Sequence, residues 1–222
     1  MNKRLLQIFD VLAAHFGPLH WWPAETPFEV VVGAILTQNI AWTNVEQAIA
    51  RLKEADVLSP DALRSLERER LEELIRPAGF FRQKARRLQL FVTHLFARHG
   101  GNLCTLLAGP QAQVRAELLS LDGIGPETAD SILLYAGEHP SFVVDAYTRR
   151  LFTRLGLLRG TEGYDQIRSL FMTSLPEQTD LFNEYHALIV EECKTFCRKN
   201  TPLCSSCPLL SLCPFGQKAA LS

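Results

Sequence analysis

The chain has 222 residues, of which 47% are hydrophobic and 21% are charged, and its net charge of −1 gives a pI of about 6.6. This composition is typical of a globular protein with enough apolar residues for one core or two small ones. Because the net charge offers no global attraction for a polyanion, any contact with nucleic acid must come from a local patch. The longest apolar run, residues 30–36, is too short to cross a bilayer.

Apolar residues recur at helical spacing along the chain, and alternating strand patterns are nearly absent. Thr26 to Glu29 combine a capping box with proline at the first helical position, which predicts the start of a buried helix. Gly100 and Gly101 predict the end of a long helix. The prediction is an all-α fold of about ten helices, over residues 2–15, 27–38, 43–54, a short helix from 60, 81–98, 111–120, 126–136, 146–155, 164–174 and 179–193.

The sequence of the first predicted helix indicates the cellular compartment. Lys3 and Arg4 precede an apolar stretch, as in a signal peptide, but Gln7 and Asp10 interrupt it at the spacing of an amphipathic helix. We therefore expect a cytoplasmic protein without membrane contact. In that compartment, most of the six cysteines are expected to be metal ligands rather than disulfide partners.

A glycine-rich turn at residues 121–125 precedes one of the predicted helices. Gly123 and Gly125 suit a sharp turn, Pro126 suits the first helical position, and Glu127 suits the positive end of the helix dipole. Without side chains on the two glycines, an anion can approach the peptide N–H groups closely. We predict an anion-binding helix start, with a phosphodiester backbone as the candidate ligand.

Four cysteines lie close together near the end of the chain. Four thiolates within seventeen residues, with prolines in the loops, favour one metal centre over two disulfides. By spacing alone, these four cysteines could bind either zinc or an iron–sulfur cluster. The four residues are Cys197, Cys204, Cys207 and Cys213. The other two cysteines, Cys104 and Cys193, fall outside this spacing and are predicted to be buried.

Asp145 follows the apolar residues 142–144 and precedes a predicted helix. Such an aspartate commonly caps the helix, and a partly buried carboxylate can also stabilise a developing cation or activate water. Both roles remain open from the residues alone.

The pattern Leu-x-Gly-Ile-Gly-x-x-Thr-Ala-Asp at residues 121–130, the position of Asp145 and the 6-2-5 cysteine spacing together resemble the endonuclease III-like, or HhH-GPD, superfamily of DNA glycosylases. The resemblance implies two helical lobes. One is a six-helix barrel with a helix-hairpin-helix over residues 23–138. The other, from residues 1–22 and 139–222, carries a [4Fe–4S] cluster. Double-stranded DNA would bind in the cleft between the lobes.

The resemblance also implies roles for single residues. Asp145 would be the catalytic carboxylate, Gly123 and Gly125 would hold a DNA phosphate, and Gln38 would fill the gap left by a flipped nucleotide. The four terminal cysteines would hold the cluster. Glu127 stands where the bifunctional members carry the lysine that forms a Schiff base with the sugar. This difference predicts a monofunctional glycosylase, which uses water and leaves an abasic site.

Several further motifs resemble one branch of the superfamily, the 3-methyladenine glycosylases of endonuclease III type. In that branch Trp22 and Trp42 would sandwich an alkylated purine, with Glu127 nearby. One or two residues of a basic stripe beyond Phe81 would contact the DNA backbone, unless the stripe is a solvated helix face. The protein is expected to be a monomer near the nucleoid of a bacterium or archaeon. The motifs are Trp-Trp-Pro, Leu-Thr-Gln-Asn, Arg-Pro-x-Gly-Phe, Gly-Ile-Gly-x-Glu and Tyr-His-Ala-Leu-Ile, and the stripe contains Arg82, Lys84, Arg86 and Arg87.

Two alternatives remain open from the sequence. The first is a glycosylase for a mismatched T, U or A or for an oxidised pyrimidine, with weak lyase activity borrowed from Lys84 or Lys194. The second is an iron–sulfur DNA-binding module that lacks catalysis, which the presence of Asp145 disfavours.

Overall fold

The computed structural model describes residues 3–19 and 21–220, and within these ranges the chain forms α-helices and short 3₁₀ turns without any β-strand. The prediction of an all-α fold is confirmed. Asn2, the predicted first residue of the first helix, lies outside the described residues. Within the described ranges the helices are α1 (Lys3–Phe16), α2 (Pro27–Leu36), α3 (Trp42–Glu54), α4 (Pro60–Ser65), α5 (Arg68–Leu74), α6 (Phe81–His99), α7 (Leu103–Leu107), α8 (Gln111–Leu119), α9 (Pro126–Tyr135), α10 (Ala146–Arg154), α11 (Tyr164–Ser174), α12 (Thr179–Thr195) and α13 (Pro214–Ala219).

Three of these helices were not predicted from the sequence. They are α5, α7 and α13, with seven, five and six residues. Helices this short span fewer than two periods of apolar spacing, so tertiary packing rather than a periodic pattern determines them. In the described ranges, none of the helices is both long enough and apolar enough to span a membrane.

One compact unit comprises Trp22–His139, and α2 is its centre. Nine of the ten residues of α2 are buried, and the helix packs against α3, α6 and α9. Its start is fixed as predicted, because the Thr26 hydroxyl accepts a hydrogen bond of 3.1 Å from the Glu29 amide. The helix ends at Thr37, whose hydroxyl donates to the Gly33 carbonyl, and Gln38 therefore emerges directly beyond a buried element.

Helices α8 and α9 form the hairpin of this unit and are joined by a buried ion pair. The Arg115 guanidinium donates two hydrogen bonds, of 2.9 and 3.0 Å, to the two carboxylate oxygens of Asp130. Asp130 is fully buried, so this bidentate pair supplies its charge partner where water cannot. The angle between the two helices is therefore held by a directional interaction as well as by apolar packing.

The second compact unit is formed by both chain ends, residues 1–21 and 140–222. Its centre is aromatic: Phe142 stacks on Phe171 with ring centroids 3.9 Å apart, and Tyr185 packs edge-on against both rings. The buried Tyr185 hydroxyl donates a 2.8 Å hydrogen bond to the Leu5 carbonyl. This bond ties α12 to α1 across a separation of 180 residues.

Candidate functional site

The hairpin turn between α8 and α9 requires glycine at position 123 for two reasons. Gly123 has a φ of +86°, which L side chains rarely adopt. A Cβ atom placed there would also lie 2.5 Å from Cγ and Cδ of Arg87, well inside van der Waals contact. The turn and the Arg87 side chain therefore occupy adjoining space that exists because position 123 has no side chain.

Gly125 serves a different purpose, because its φ of −87° is accessible to any residue. Beyond its chain neighbours, no described atom lies within 4 Å of the position where a Cβ would stand. Gly125 is exposed and caps the start of α9, where Pro126 occupies the first helical position. The structure thus leaves open space in front of the helix N-terminus, where free N–H groups and the helix dipole favour an anion.

Gln38 lies against this turn. Its amide nitrogen donates hydrogen bonds of 2.9 Å both to the Gly123 carbonyl and to the Thr128 hydroxyl, and its amide oxygen accepts from Arg87. Nearby, Arg86 forms a 2.9 Å ion pair with Asp122. Gln38 therefore connects the end of α2 to both sides of the hairpin turn.

Trp22 and Trp42 meet, but not as the two walls of a sandwich. Their ring centroids are 5.0 Å apart and their planes are inclined at 88°, so one ring presents its edge to the other. A flat base stacks between parallel faces, and this pair does not provide them. Tyr135, which sequence reasoning missed, lies 5.0 Å from Trp22 at an angle of 49°. The three aromatic rings form one cluster, and Gly33 leaves room for it, because a Cβ atom at position 33 would lie 3.2 Å from the Trp22 ring.

Lys84 is not part of a surface stripe, contrary to the sequence prediction. It is 1% exposed, and its ammonium donates hydrogen bonds of 2.8 and 2.7 Å to the carbonyls of Leu36 and Ala78. Burial and the charge of Arg87 lower the pKa of Lys84 to about 8. The lysine ties α2 to the turn before α6, while Arg82 and Arg86 of the same predicted stripe are exposed.

Glu127 lies in the first turn of α9 and is exposed. Its carbonyl accepts a 2.8 Å hydrogen bond from the Ser131 hydroxyl, so its backbone is part of the regular helix. A carboxylate in this turn is favoured by the helix dipole.

In the other unit, Asp145 caps α10 with one carboxylate oxygen, which accepts a 2.7 Å hydrogen bond from the Thr148 amide and a 2.9 Å bond from its hydroxyl. The second oxygen lies 3.6 Å from Nε2 of His186. Burial alone would raise the pKa of Asp145, but His186 and the Thr148 donors outweigh it and hold the pKa below its usual value. The carboxylate is therefore ionised while its side chain is only 13% exposed.

His186 was not selected as a site residue from the sequence, although it belongs to the Tyr-His-Ala-Leu-Ile motif. It lies on α12 and is 6% exposed, within the same unit as Asp145. A lone histidine on a largely apolar helix face carries no spacing signal of its own. His186 lies next to Asp145 because α12 packs against α10, a contact that the sequence pattern does not indicate.

The four terminal cysteines line one cavity in the unit formed by the chain ends, together with Leu155, Glu192 and Phe196. Several polar groups face the sulfurs: the Arg154 guanidinium lies 3.3 Å from Sγ of Cys197, and the Gly216 amide donates to Sγ of Cys213 at 3.3 Å. Donors of this kind stabilise thiolates. Four sulfurs that line one cavity are a donor set suited to a metal centre.

The two remaining cysteines differ from each other. Cys193 is 2% exposed and its thiol donates to the Tyr147 carbonyl at 3.5 Å, which agrees with the prediction of a buried residue. Cys104 is exposed, so that prediction was wrong for it. The short helix α7, which places Cys104, buries instead Leu103, Leu106 and Leu107.

Comparisons with known proteins agree with this architecture. Residues 32–177 match the family model described as HhH-GPD superfamily base excision DNA repair protein. The chain is 49% identical over 213 residues to "Putative DNA repair glycosylase MJ1434" of Methanocaldococcus jannaschii, covering 95% of this chain and 96% of the relative. It is 31% identical over 192 residues to endonuclease III of Thermotoga maritima, covering 86% and 84%.

Solved structures show the same similarity. A non-covalent endonuclease III–DNA complex superimposes with a TM-score of 0.86 at 26% identity, covering 100% of this chain and 99% of the other. The H. pylori 3-methyladenine DNA glycosylase bound to 1,N6-ethenoadenine gives a TM-score of 0.72 at 28% identity, covering 86% and 97%. The chain therefore belongs to the HhH-GPD superfamily of base excision DNA repair proteins and is a DNA glycosylase.

Proposed function

We propose that this glycosylase is monofunctional and hydrolyses the N-glycosidic bond of a damaged base in double-stranded DNA, with Asp145 as the catalytic carboxylate. The observation that carries the proposal is the largely buried carboxylate of Asp145, with one oxygen bound by the Thr148 amide and hydroxyl and the other 3.6 Å from Nε2 of His186, contacts that lower its pKa. A carboxylate kept charged with little water around it is suited to stabilise a cation, because electrostatic interactions are stronger where solvent is excluded.

The reaction needs three things: a nucleotide taken out of the stack, stabilisation of the positive charge that develops on the sugar, and a water molecule. Asp145 faces the developing cation and orients the attacking water. As the bond from the anomeric carbon to the base breaks, the water oxygen bonds to that carbon and Asp145 accepts a proton. The departing base takes the electron pair of the broken bond, so that a cationic alkylated purine leaves as a neutral base, whereas a base that is neutral in the DNA leaves as an anion and is then protonated. His186 is a positioning residue, because it acts through Asp145.

Three positions disfavour lyase chemistry: Glu127 and the two lysines named as possible substitutes, Lys84 and Lys194. Glu127 occupies the position of the Schiff-base lysine, and a carboxylate has no nitrogen with which to form an imine. The Lys84 ammonium donates two of its three hydrogens to buried carbonyls. Lys194 lies over the Trp21 ring at 5.3 Å, where it makes a cation–π contact. Water is therefore the proposed nucleophile.

An alkylated purine is the proposed substrate. Alkylation of a ring nitrogen makes the base cationic, and the cluster of Trp22, Trp42 and Tyr135 offers aromatic faces while Glu127 offers a negative charge. The similarity to the H. pylori 3-methyladenine glycosylase supports this assignment. Because the Trp22 and Trp42 rings are nearly perpendicular, the base would stack on one of the two rings rather than between them.

A mismatched thymine or uracil is the second candidate. It is favoured by 26% identity over 220 residues to the thymine-DNA glycosylase of Aeropyrum pernix. The edge-to-face tryptophans, which offer one stacking face rather than two, are compatible with the weaker stacking of a pyrimidine.

DNA would be held at the start of α9, with a phosphate in the open space over Gly125. Cys197, Cys204, Cys207 and Cys213 would hold a [4Fe–4S] cluster, and endonuclease III relatives of the chain support iron over zinc. When bound, such a cluster supplies cross-links between chain segments. Arg150 makes a similar cross-link by itself, because its guanidinium donates hydrogen bonds to the Cys197 and Cys193 carbonyls, at 2.8 and 3.3 Å.

The first prediction concerns the reaction itself. Excess enzyme is expected to release methylated purine from duplex DNA and to leave strand breaks that appear only after alkali, with no product trapped by borohydride. Asp145→Asn is expected to lose at least about 100-fold in single-turnover rate, because the charge is lost while the amide still caps α10. Asp61→Asn, in an exposed helix start, is the matched control. The same assay uses duplexes with T/G, U/G and oxidised pyrimidine.

Release of thymine or uracil instead would keep the mechanism and replace the alkylpurine by the second candidate. A borohydride-trapped adduct would contradict the monofunctional proposal. Full activity of Asp145→Asn would contradict the assignment of the carboxylate.

The second prediction concerns pH. His186 helps to lower the pKa of Asp145, so His186→Asn is expected to raise that pKa and to move the acid limb of the single-turnover rate to higher pH. In the wild type the carboxylate stays ionised as pH falls until its depressed pKa is reached. At neutral pH the variant should therefore differ less from the wild type than it does at pH 5. An unchanged acid limb would contradict the positioning role of His186.

The third prediction separates the two glycines of the hairpin. Gly125→Ala is expected to cost about 1 kcal/mol or less in stability, because its φ suits alanine and the space is open. It is expected to weaken duplex binding about 10-fold, measured by fluorescence anisotropy in the Asp145→Asn background. Gly123→Ala should instead destabilise the fold by roughly 1–3 kcal/mol, through strain and the clash with Arg87. Wild-type affinity of Gly125→Ala would overturn the phosphate assignment.

The fourth prediction concerns the metal centre. Protein purified without oxygen is expected to be brown and to contain about four iron atoms per chain. Cys207→Ser should lose most of that iron, whereas Cys193→Ser and Cys104→Ser, which lie outside the ligand set, should keep it. A colourless protein that contains zinc, and loses one zinc ion per chain in Cys207→Ser, would identify the cysteine site as zinc.

A further inference from the structure

Two histidines and one glutamate converge in the compact unit of residues 22–139, outside the residues proposed for DNA and base. His94 and His99 lie on α6, and Glu117 lies on α8. Nε2 of His94 and Nε2 of His99 lie 2.7 and 2.6 Å from the same oxygen, Oε1 of Glu117. Ligand atoms from all three residues lie within 4.8 Å of one another.

The convergence on one oxygen distinguishes this arrangement from two ordinary hydrogen bonds. Glu117 has a second carboxylate oxygen, yet both imidazoles direct Nε2 at Oε1. The side chains of His94, His99 and Glu117 are 21%, 15% and 26% exposed, so the cluster is partly enclosed and still open to solvent on one side. Three donor atoms thus surround a point that a small ion can reach from water.

We propose that His94, His99 and Glu117 form a binding site for Zn²⁺, with water as the fourth ligand. Two imidazole nitrogens and one carboxylate oxygen are a ligand set that zinc takes in proteins, at about 2.0–2.2 Å. Tetrahedral geometry at those distances separates ligand atoms by about 3.3 Å. The nitrogens therefore need to move away from Oε1 by roughly 0.6 Å, which side-chain rotation provides.

The charge of the cluster suits a cation. Burial would raise the pKa of Glu117, but the two histidines, with His99 first, outweigh burial, lower the pKa and keep the carboxylate ionised. Zinc would bind Nε2 of each neutral ring, which then carries its proton on Nδ1. Binding should weaken as pH falls, because protons compete with Zn²⁺ for its ligand atoms.

The site joins elements that lead to the hairpin. His99 is the last residue of α6, and Glu117 lies two residues before the end of α8, from which the chain enters the glycine-rich turn. A cation at this point cross-links the two helix ends. Its function is therefore stabilisation of the unit that carries the hairpin, and the chemistry at Asp145 does not require it.

The test uses the holoprotein, with its four terminal cysteines occupied as isolated. Zinc is added as ZnCl₂ at pH 7.5, and binding is followed by calorimetry, with visible absorption recorded in parallel to show that the metal centre is retained. One zinc per chain is expected, and at a hundredfold excess over Kd the melting temperature should rise by about 5 °C or more. Co²⁺ in place of Zn²⁺ should give the visible d–d bands of a tetrahedral site.

His94→Gln and His99→Gln are the test variants, since glutamine preserves a hydrogen bond to Glu117 and keeps the fold. Each is expected to weaken zinc binding at least 10-fold and to lose the rise in melting temperature. His15→Gln, an exposed histidine of the other unit, and Cys104→Ser are controls that should bind as the wild type does. Failure of the wild type to bind zinc, or wild-type affinity in both test variants, would overturn the proposal.

Discussion

The missing side chain at Gly123 is the constraint on which the hairpin unit depends. Its positive φ turns the chain between α8 and α9, and the space that a Cβ would fill is taken by the stem of Arg87. Arg87 in turn meets the amide oxygen of Gln38, whose nitrogen returns to the carbonyl of Gly123. The turn, the end of α2 and α6 therefore fix one another through a closed set of contacts. Any larger residue at position 123 disturbs all three.

A second constraint acts on Asp145, where burial and hydrogen bonding oppose each other. Burial favours the neutral acid, whereas the Thr148 donors and His186 favour the carboxylate, and the donors win. Because the first oxygen is already occupied by the cap of α10, the second oxygen and its His186 contact retain the freedom to face a reacting group. The cap of α10 uses one oxygen of the carboxylate and the proposed chemistry would use the other, so the two roles are compatible.

The sequence predicted much of the fold because its helices carry strong local signals. The capping box at Thr26 and the terminating Gly100, which adopts φ +61°, appear in the structure as the patterns indicated. The short helices α5, α7 and α13 were not predicted, because they contain too few residues to show the helical spacing of apolar positions. The sequence also did not predict contacts between distant segments. His186 lies 41 positions from Asp145, so no local pattern links them. Lys84 was predicted to be a surface charge, whereas the structure buries it against two carbonyls.

The choice between hydrolysis and lyase chemistry depends on where the chain places its amines. A lysine in the first turn of α9 would lie at the positive end of a helix dipole, which disfavours its cationic form and thereby supports nucleophilic attack. Glu127 at that position reverses the effect, since the dipole favours its negative charge and the carboxylate offers no imine-forming atom. Lys84 has a lowered pKa, as a nucleophilic amine needs, but the burial that lowers it also encloses the amine between two carbonyls. A reactive amine must lose its proton and be accessible; the lowered pKa of Lys84 favours the first requirement, but its burial fails the second.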